Sequence, residues 1–161
     1  MSPNTTVTIT SFGYLHAAPP AADLTVDLRR HFKDPHVHPE LRHRTAEDLA
    51  VREAVLRTAG IPQLINAITT AADAYLSGPG AADIATLDIA TGCAGGRHRA
   101  GTTAMVLAAI LAGDQDQLAY LTGGPDAARR WGLNHLAHWY ADRPLDVHLV
   151  HRDMHRAVVA R

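Results

Sequence analysis

Cysteine is almost missing from this chain: Cys93 is the only one in 161 residues. A lone thiol cannot close an internal disulfide, and such sparing use fits a reducing compartment. Long apolar runs are missing as well, which excludes a membrane-spanning helix. Met1–Thr10 lacks the basic stretch and apolar core of a secretory leader. A cytoplasmic protein without membrane contact is therefore expected. A dominant charge is absent too. The net charge is −1 at pH 7, so no overall field draws the chain to nucleic acid. Lysine is nearly lacking, with Lys33 alone beside 14 arginines. A GC-rich genome explains that bias as well as phosphate chemistry does, so it carries no weight. No repeat divides the chain, and its length predicts one domain over residues 1–161.

What is present is concentrated in Ile89-Ala-Thr-Gly-Cys-Ala-Gly-Gly-Arg-His-Arg-Ala-Gly-Thr-Thr103. Ile84, Leu87 and Ile89 make a short apolar run over 84–90 that suits an interior strand. Thr102–Leu111 is almost wholly apolar and suits a buried helix. Gly92, Gly95 and Gly96 lie between them and allow tight turns and close backbone approach. A loop entering a helix aims several free N–H groups at one spot, and the helix end adds roughly half a positive charge. That combination suits an anion, most often phosphate. Arg97, His98 and Arg99 add side-chain donors, and an Arg can grip a phosphate with two charge-assisted hydrogen bonds. His98 is expected to donate to the ligand or to orient the loop. The plainer alternative is a glycine turn before a core helix, with Arg97 and Arg99 solvated.

The rest of the chain alternates strands and helices. Val7–Thr10 and Leu24–Arg29 alternate as strands, the second carrying Asp27 and Arg29 at its end. Residues 30–44 form a long polar loop with His31, Asp34, His36 and His38. Thr45 is placed to cap a helix over 46–59, and Pro62 to open another running to Leu76. After the central strand–loop–helix, residues 114–142 read as a helical insert in two pieces, split at Gly123-Gly124-Pro125. Asp146–Val150 is a last strand, followed by His151 and Arg152. This order predicts an α/β fold: a mostly parallel central sheet flanked by helices, with a strand–glycine loop–helix anion site. The orientation of the first two strands is left open, because the link between them is short for a helical crossover. Ligands of open α/β sheets sit beyond the C-terminal strand ends. Polar residues gather at four such places: Tyr14; Asp27 with Arg29; the Cys93–Arg99 loop; and His151 with Arg152.

Several spaced motifs in one order resemble the C-terminal domain of the RNase adapter protein RapZ family. They are Ser11-Phe-Gly-Tyr14; Asp27-Leu-Arg29 with Asp34-Pro-His36 and Pro39-Glu-Leu-Arg42; Gly92-Cys-Ala-Gly-Gly-Arg-His-Arg99; and His151-Arg-Asp153. The resemblance covers nearly the whole chain. It implies an α/β domain that binds an amino-sugar phosphate, glucosamine-6-phosphate. Asp27 and His36 would hold the sugar, and Ala94, Gly95 and Arg99 the phosphate. Ala94 stands where the family often has Thr, and Ala100 where it often has Ser, so backbone N–H groups and Arg99 would carry the phosphate. The family's full-length members add an N-terminal P-loop domain, bind small RNAs and self-assemble. No GxxxxGK[ST] occurs here, so a separate P-loop protein or other protein partner is expected, and a homo-oligomer is a further expectation. The insert over 114–142 is longer than the family's link.

Other chemistries compete. Cys93-Ala-Gly-Gly-Arg-His-Arg99 fits C-x5-R, the loop of cysteine-dependent phosphatases, with Cys93 as nucleophile, Arg99 as clamp and Asp34 or His36 as general acid. Gly92 and Ala100 depart from that signature, and Cys93 reads equally as a small core residue. His135 and His138 lie three apart but lack a third ligand, so no metal is expected. Trp131 and Trp139 read as one packing face. The Arg-containing tail, 152–161, is poor support for RNA binding without the resemblance. The expectation is a regulatory domain that binds a phosphorylated small molecule, a sugar phosphate or nucleotide sugar, without a cofactor. The ligand residues would be Asp27, Arg29, His36, Cys93, Ala94, Gly95, Gly96, Arg97, His98 and Arg99, with Tyr14, His151 and Arg152 as further candidates. Arg99→Ala is expected to abolish binding without unfolding the protein.

Overall fold

Val7 and Ile9 alternate with Thr6, Thr8 and Thr10, and that period of two builds the first strand, β1 (Thr6–Gly13). The computed structural model describes residues 5–32, 34 and 38–160. His36 lies outside the described residues. Three more strands follow: β2 (Leu24–Asp27), β3 (Thr86–Cys93) and β4 (Asp146–His151). They form one sheet in the order β2-β3-β1-β4, and every pair is parallel. The first two strands therefore run the same way, but β3 lies between them. Residues 14–23 return the chain from the end of β1 to the start of β2 without a helix.

Six α-helices among the described residues accompany the sheet. They are α1 (Leu49–Leu56), α2 (Ile61–Ser77), α3 (Arg99–Leu111), α4 (Gln115–Thr122), α5 (Pro125–Arg130) and α6 (Asn134–Ala141). The expected α/β sheet flanked by helices is what forms. Helix α3 packs on β1, β3 and β4 and buries Val106, Leu107, Ile110 and Leu111 completely. Each such side chain contributes about 1.5–3 kcal/mol on leaving water. The same core takes in Leu118, Leu121, Ala128, Leu133, Ala137 and Tyr140. The insert is thus packed into the domain rather than appended to it. Among the described residues no helix is long and apolar enough to cross a membrane.

Several boundaries differ from the sequence pattern, each for a physical reason. β1 runs on to Gly13 because Ser11, Phe12 and Gly13 remain in register with β3. β2 stops at Asp27, whose carboxylate accepts from the Arg29 backbone N–H and turns the chain. Helix α1 starts at Leu49, not at residue 46, and Asp48 caps it instead of Thr45 by accepting from Ala50 N at 2.9 Å. Helix α3 begins at Arg99, three residues before the apolar run. The insert holds three helices, not two, since Gly132 takes φ +67 and adds a second break.

Candidate anion-binding site

Parallel strands bring their C-terminal ends to one edge of the sheet. In register, Gly13 stands beside Cys93, Asp27 beside Gly92, and Ser11 beside His151. All four polar groups expected from the sequence share that edge, but they separate into three clusters.

The first cluster is the loop between β3 and α3. Gly96 has φ +74, and a Cβ there would stand 2.8 Å from the Gly13 nitrogen. Only glycine permits that conformation and that approach. The loop is then strapped to three segments. Arg97 donates to Arg156 O at 2.6 Å and to His43 O at 2.7 Å. His98, 4% exposed, has Nε2 at 3.0 Å from Arg44 O and Nδ1 at 3.6 Å from Asp34 Oδ1. Arg99, 3% exposed, donates to Leu28 O at 2.9 Å, to Phe32 O at 2.8 Å and to Asp34 Oδ2 at 2.7 Å. Among the described residues its buried Nε has no acceptor.

Four consecutive backbone N–H groups in this loop, those of Ala94, Gly95, Gly96 and Arg97, have no acceptor among the described residues. Arg99, Ala100 and Gly101 follow in the first turn of α3, where N–H groups have no intrahelical partner. Cys93, Ala94, Gly95, Arg97 and His98 line a cleft with Leu15 and Asp34, and Ala157, Val158 and Val159 complete it. The space left is about 40 Å³, room for a few waters or one small oxyanion. Cys93 lines the cleft but is only 3% exposed.

The second cluster is Tyr14 with Asp27 and Arg29. Arg29 pairs with Asp27 at 2.6 Å and lays its guanidinium 3.5 Å above the Tyr14 ring. The hydrogen bond from Arg29 is the main reason that the Asp27 carboxyl titrates below its ordinary value. Burial, then the Asp27 charge, raises the Tyr14 hydroxyl. This group does not line the cleft.

The third cluster supports the loop from the β4 side. Asp153, 1% exposed, accepts from Gly13 N and Arg152 Nε, both at 2.8 Å. Burial pushes its carboxyl up, but the bonds from Arg152 and Gly13 and the Arg152 charge outweigh that and leave it lowered. Arg152 also donates to Ala18 O at 2.6 Å. His151 Nδ1 lies 2.7 Å from Ser11 Oγ, and burial lowers its pKa despite nearby Glu47. His151 and Arg152 thus brace strand ends and do not line the cleft. Asp153, present in the His151-Arg-Asp153 motif, and the walls Leu15 and Ala157–Val159 were not among the residues expected at the site. Asp153 was visible as the lone acid in a basic stretch, and Ala157-Val-Val-Ala160 as an apolar run after it. Among the described residues no three His, Cys, Asp or Glu gather as a metal site.

The family model of the RapZ C-terminal domain matches residues 5–121, which include the whole loop. A nucleotide-binding protein of Symbiobacterium thermophilum is 32% identical over 155 residues, 96% of this chain and 41% of that protein. One from Thermobifida fusca is 37% identical over 103 residues, 64% of this chain and 35% of its own length. One from Rhodospirillum centenum is 39% identical over 109 residues, 68% and 32% respectively. The chain spans between about a third and two fifths of these relatives.

Proposed function

This chain belongs to the RapZ C-terminal domain family, and from that premise we propose that it binds a phosphorylated small molecule at the cleft between β3 and α3, as a regulatory sensor. The run of N–H groups from Ala94 to Arg97, without acceptors among the described residues, carries this reading. Successive backbone donors at a helix N-terminus match the tetrahedral oxygens of a phosphate, and the helix dipole favours its charge. Arg99, which does not line the cleft, would hold the loop in shape through its bonds to Leu28 O, Phe32 O and Asp34. Asp27 and Arg29 would meet the hydroxyl or amino groups of an attached sugar. A phosphate monoester larger than the present space would displace Ala157–Val159 from the cleft.

A second reading, phosphate-ester hydrolysis, is favoured only by Cys93, which lines the cleft six residues before Arg99. The 2.7 Å pair between Arg99 and Asp34 occupies both the expected clamp and the expected acid, an arrangement that favours binding over turnover. The experiment is a thermal-shift series with phosphate, glucosamine-6-phosphate, UDP-N-acetylglucosamine and ATP, with released phosphate assayed alongside. A ligand at a hundred times its dissociation constant stabilises by about 2.7 kcal/mol, a shift of a few degrees. A shift without phosphate release supports the sensor and names its ligand class. Release that disappears in Cys93→Ser supports the enzyme instead, and no shift with any of the four contradicts the anion site.

A further inference from the structure

The insert carries a second pocket, remote in sequence from the anion loop. Thr69, Thr70 and Asp73 of α2 face Leu136, Trp139 and Tyr140 of α6 across a space of about 270 Å³, with His135 at its side. Apart from His135, its polar groups share one character. The Thr69 hydroxyl donates to Ile65 O at 2.9 Å, and the Thr70 hydroxyl to Asn66 O at 3.0 Å. The Tyr140 hydroxyl, on a residue 1% exposed, donates to Asp73 Oδ1 at 3.3 Å. Burial, then the Asp73 charge, pushes the Tyr140 pKa up to about 12, so the proton stays in place. With these protons committed, the hydroxyls and the carboxylate offer only lone pairs to an occupant. No cationic side chain among the described residues pairs with Asp73 within 4.0 Å, although ten other ion pairs form. The other wall is apolar: Leu136 and a Trp139 that is 57% exposed. That indole already carries one cation, the Arg143 guanidinium 3.8 Å from its centre.

We propose that this pocket binds an organic cation, with an ammonium or guanidinium group on Asp73 and Thr70 and a hydrocarbon body against Leu136 and Trp139. A half-buried carboxylate beside an aromatic wall is what such a group requires: charge for the head and apolar area for the stem. The family match ends at residue 121, so α6, which supplies half of the pocket, lies beyond the matched stretch. The inference stands independently of the anion loop, since no residue is shared. The cation can belong to a free amine or to a lysine or arginine side chain of another protein.

The test titrates the full chain with 2-phenylethylammonium and with its neutral counterpart 2-phenylethanol, following the backbone amide resonances of Thr69–Asp73 and His135–Tyr140 by NMR. The ammonium is expected to bind at least about tenfold more tightly than the alcohol. Asp73→Asn keeps an acceptor for Tyr140 and should remove that preference. Trp139→Ala, on an exposed residue that the fold does not need, should weaken both probes. Equal binding of the two probes to the natural chain, or an undiminished preference in Asp73→Asn, overturns the proposal. A blocked peptide with a single lysine distinguishes the sources. Tighter binding of the peptide than of the amine points to a protein segment and weaker binding to a metabolite, and either order supports the cation site.

Discussion

At Gly95 an added Cβ would meet nothing within 4 Å, whereas at Gly96 it would lie 2.8 Å from the Gly13 nitrogen, at a φ of +74. The two neighbours therefore separate ligand from fold. Gly96→Ala should cost about 1–3 kcal/mol for the strained backbone alone, read as a lower urea midpoint. Gly95→Ala should leave that midpoint within about 0.5 kcal/mol, yet its methyl group enters the cleft and should weaken phosphate-ester binding about tenfold or more. Unaltered binding in Gly95→Ala would remove the loop from the site. Arg99 behaves differently from its sequence expectation. Arg99→Ala leaves the carbonyls of Leu28 and Phe32 and the Asp34 carboxylate without their buried donor, so it should destabilise by about 3 kcal/mol or more. Retention of the natural melting temperature would contradict this. The residue types of the loop were legible in the sequence. Most partners of Arg97 and Arg99 were not, because apart from the Asp34 carboxylate they are backbone carbonyls more than fifty positions away, and any residue supplies a carbonyl.

Among the elements, α1 shows how tertiary bonds override a local signal. Thr45 and Asp48 are both acceptable caps by residue type. The Ala46 N–H is given to Arg97 O at 2.8 Å, and the carbonyls of Ala46 and Glu47 to the buried Arg52. Those groups are unavailable to a helix, which begins only after Asp48. Asp48→Ala should then cost about 1 kcal/mol, with Thr45→Ala costing less; the reverse order in urea melts would place the cap wrongly. Arg52 is 2% exposed and also donates to Leu121 O at 2.8 Å, joining α1 to α4. Arg52→Met should lower stability by about 3 kcal/mol, since three carbonyls lose their donor. The third helix of the insert was legible only in Gly132, a break that residue type alone does not distinguish from a tolerated helical glycine.

For the whole molecule, the alternation of strands and helices was enough to give an α/β sheet, and the parallel register gathers the polar strand ends at one edge. The order β2-β3-β1-β4 depends on pairings between segments far apart in sequence, which no local pattern encodes. That edge should also make the fold acid-sensitive. Burial holds the His151 pKa below its ordinary value, so the neutral ring is favoured in the folded state. Its contribution is present above about pH 6.5 and is lost as pH falls through the lowered folded value. Asp153, also lowered, contributes above about pH 4 and is lost below it. Urea midpoints should thus decline on acidification from about pH 7.5 to 5.5, and less so in His151→Asn; identical slopes would exclude His151 as a cause. The central claim is that the Ala94–Arg97 amides receive a phosphate. The most direct measurement is an amide-resolved NMR titration with glucosamine-6-phosphate. The N–H resonances of Ala94, Gly95, Gly96 and Arg97 should move downfield together and saturate on one binding curve. Saturable binding that leaves those four in place while shifting residues elsewhere would contradict it.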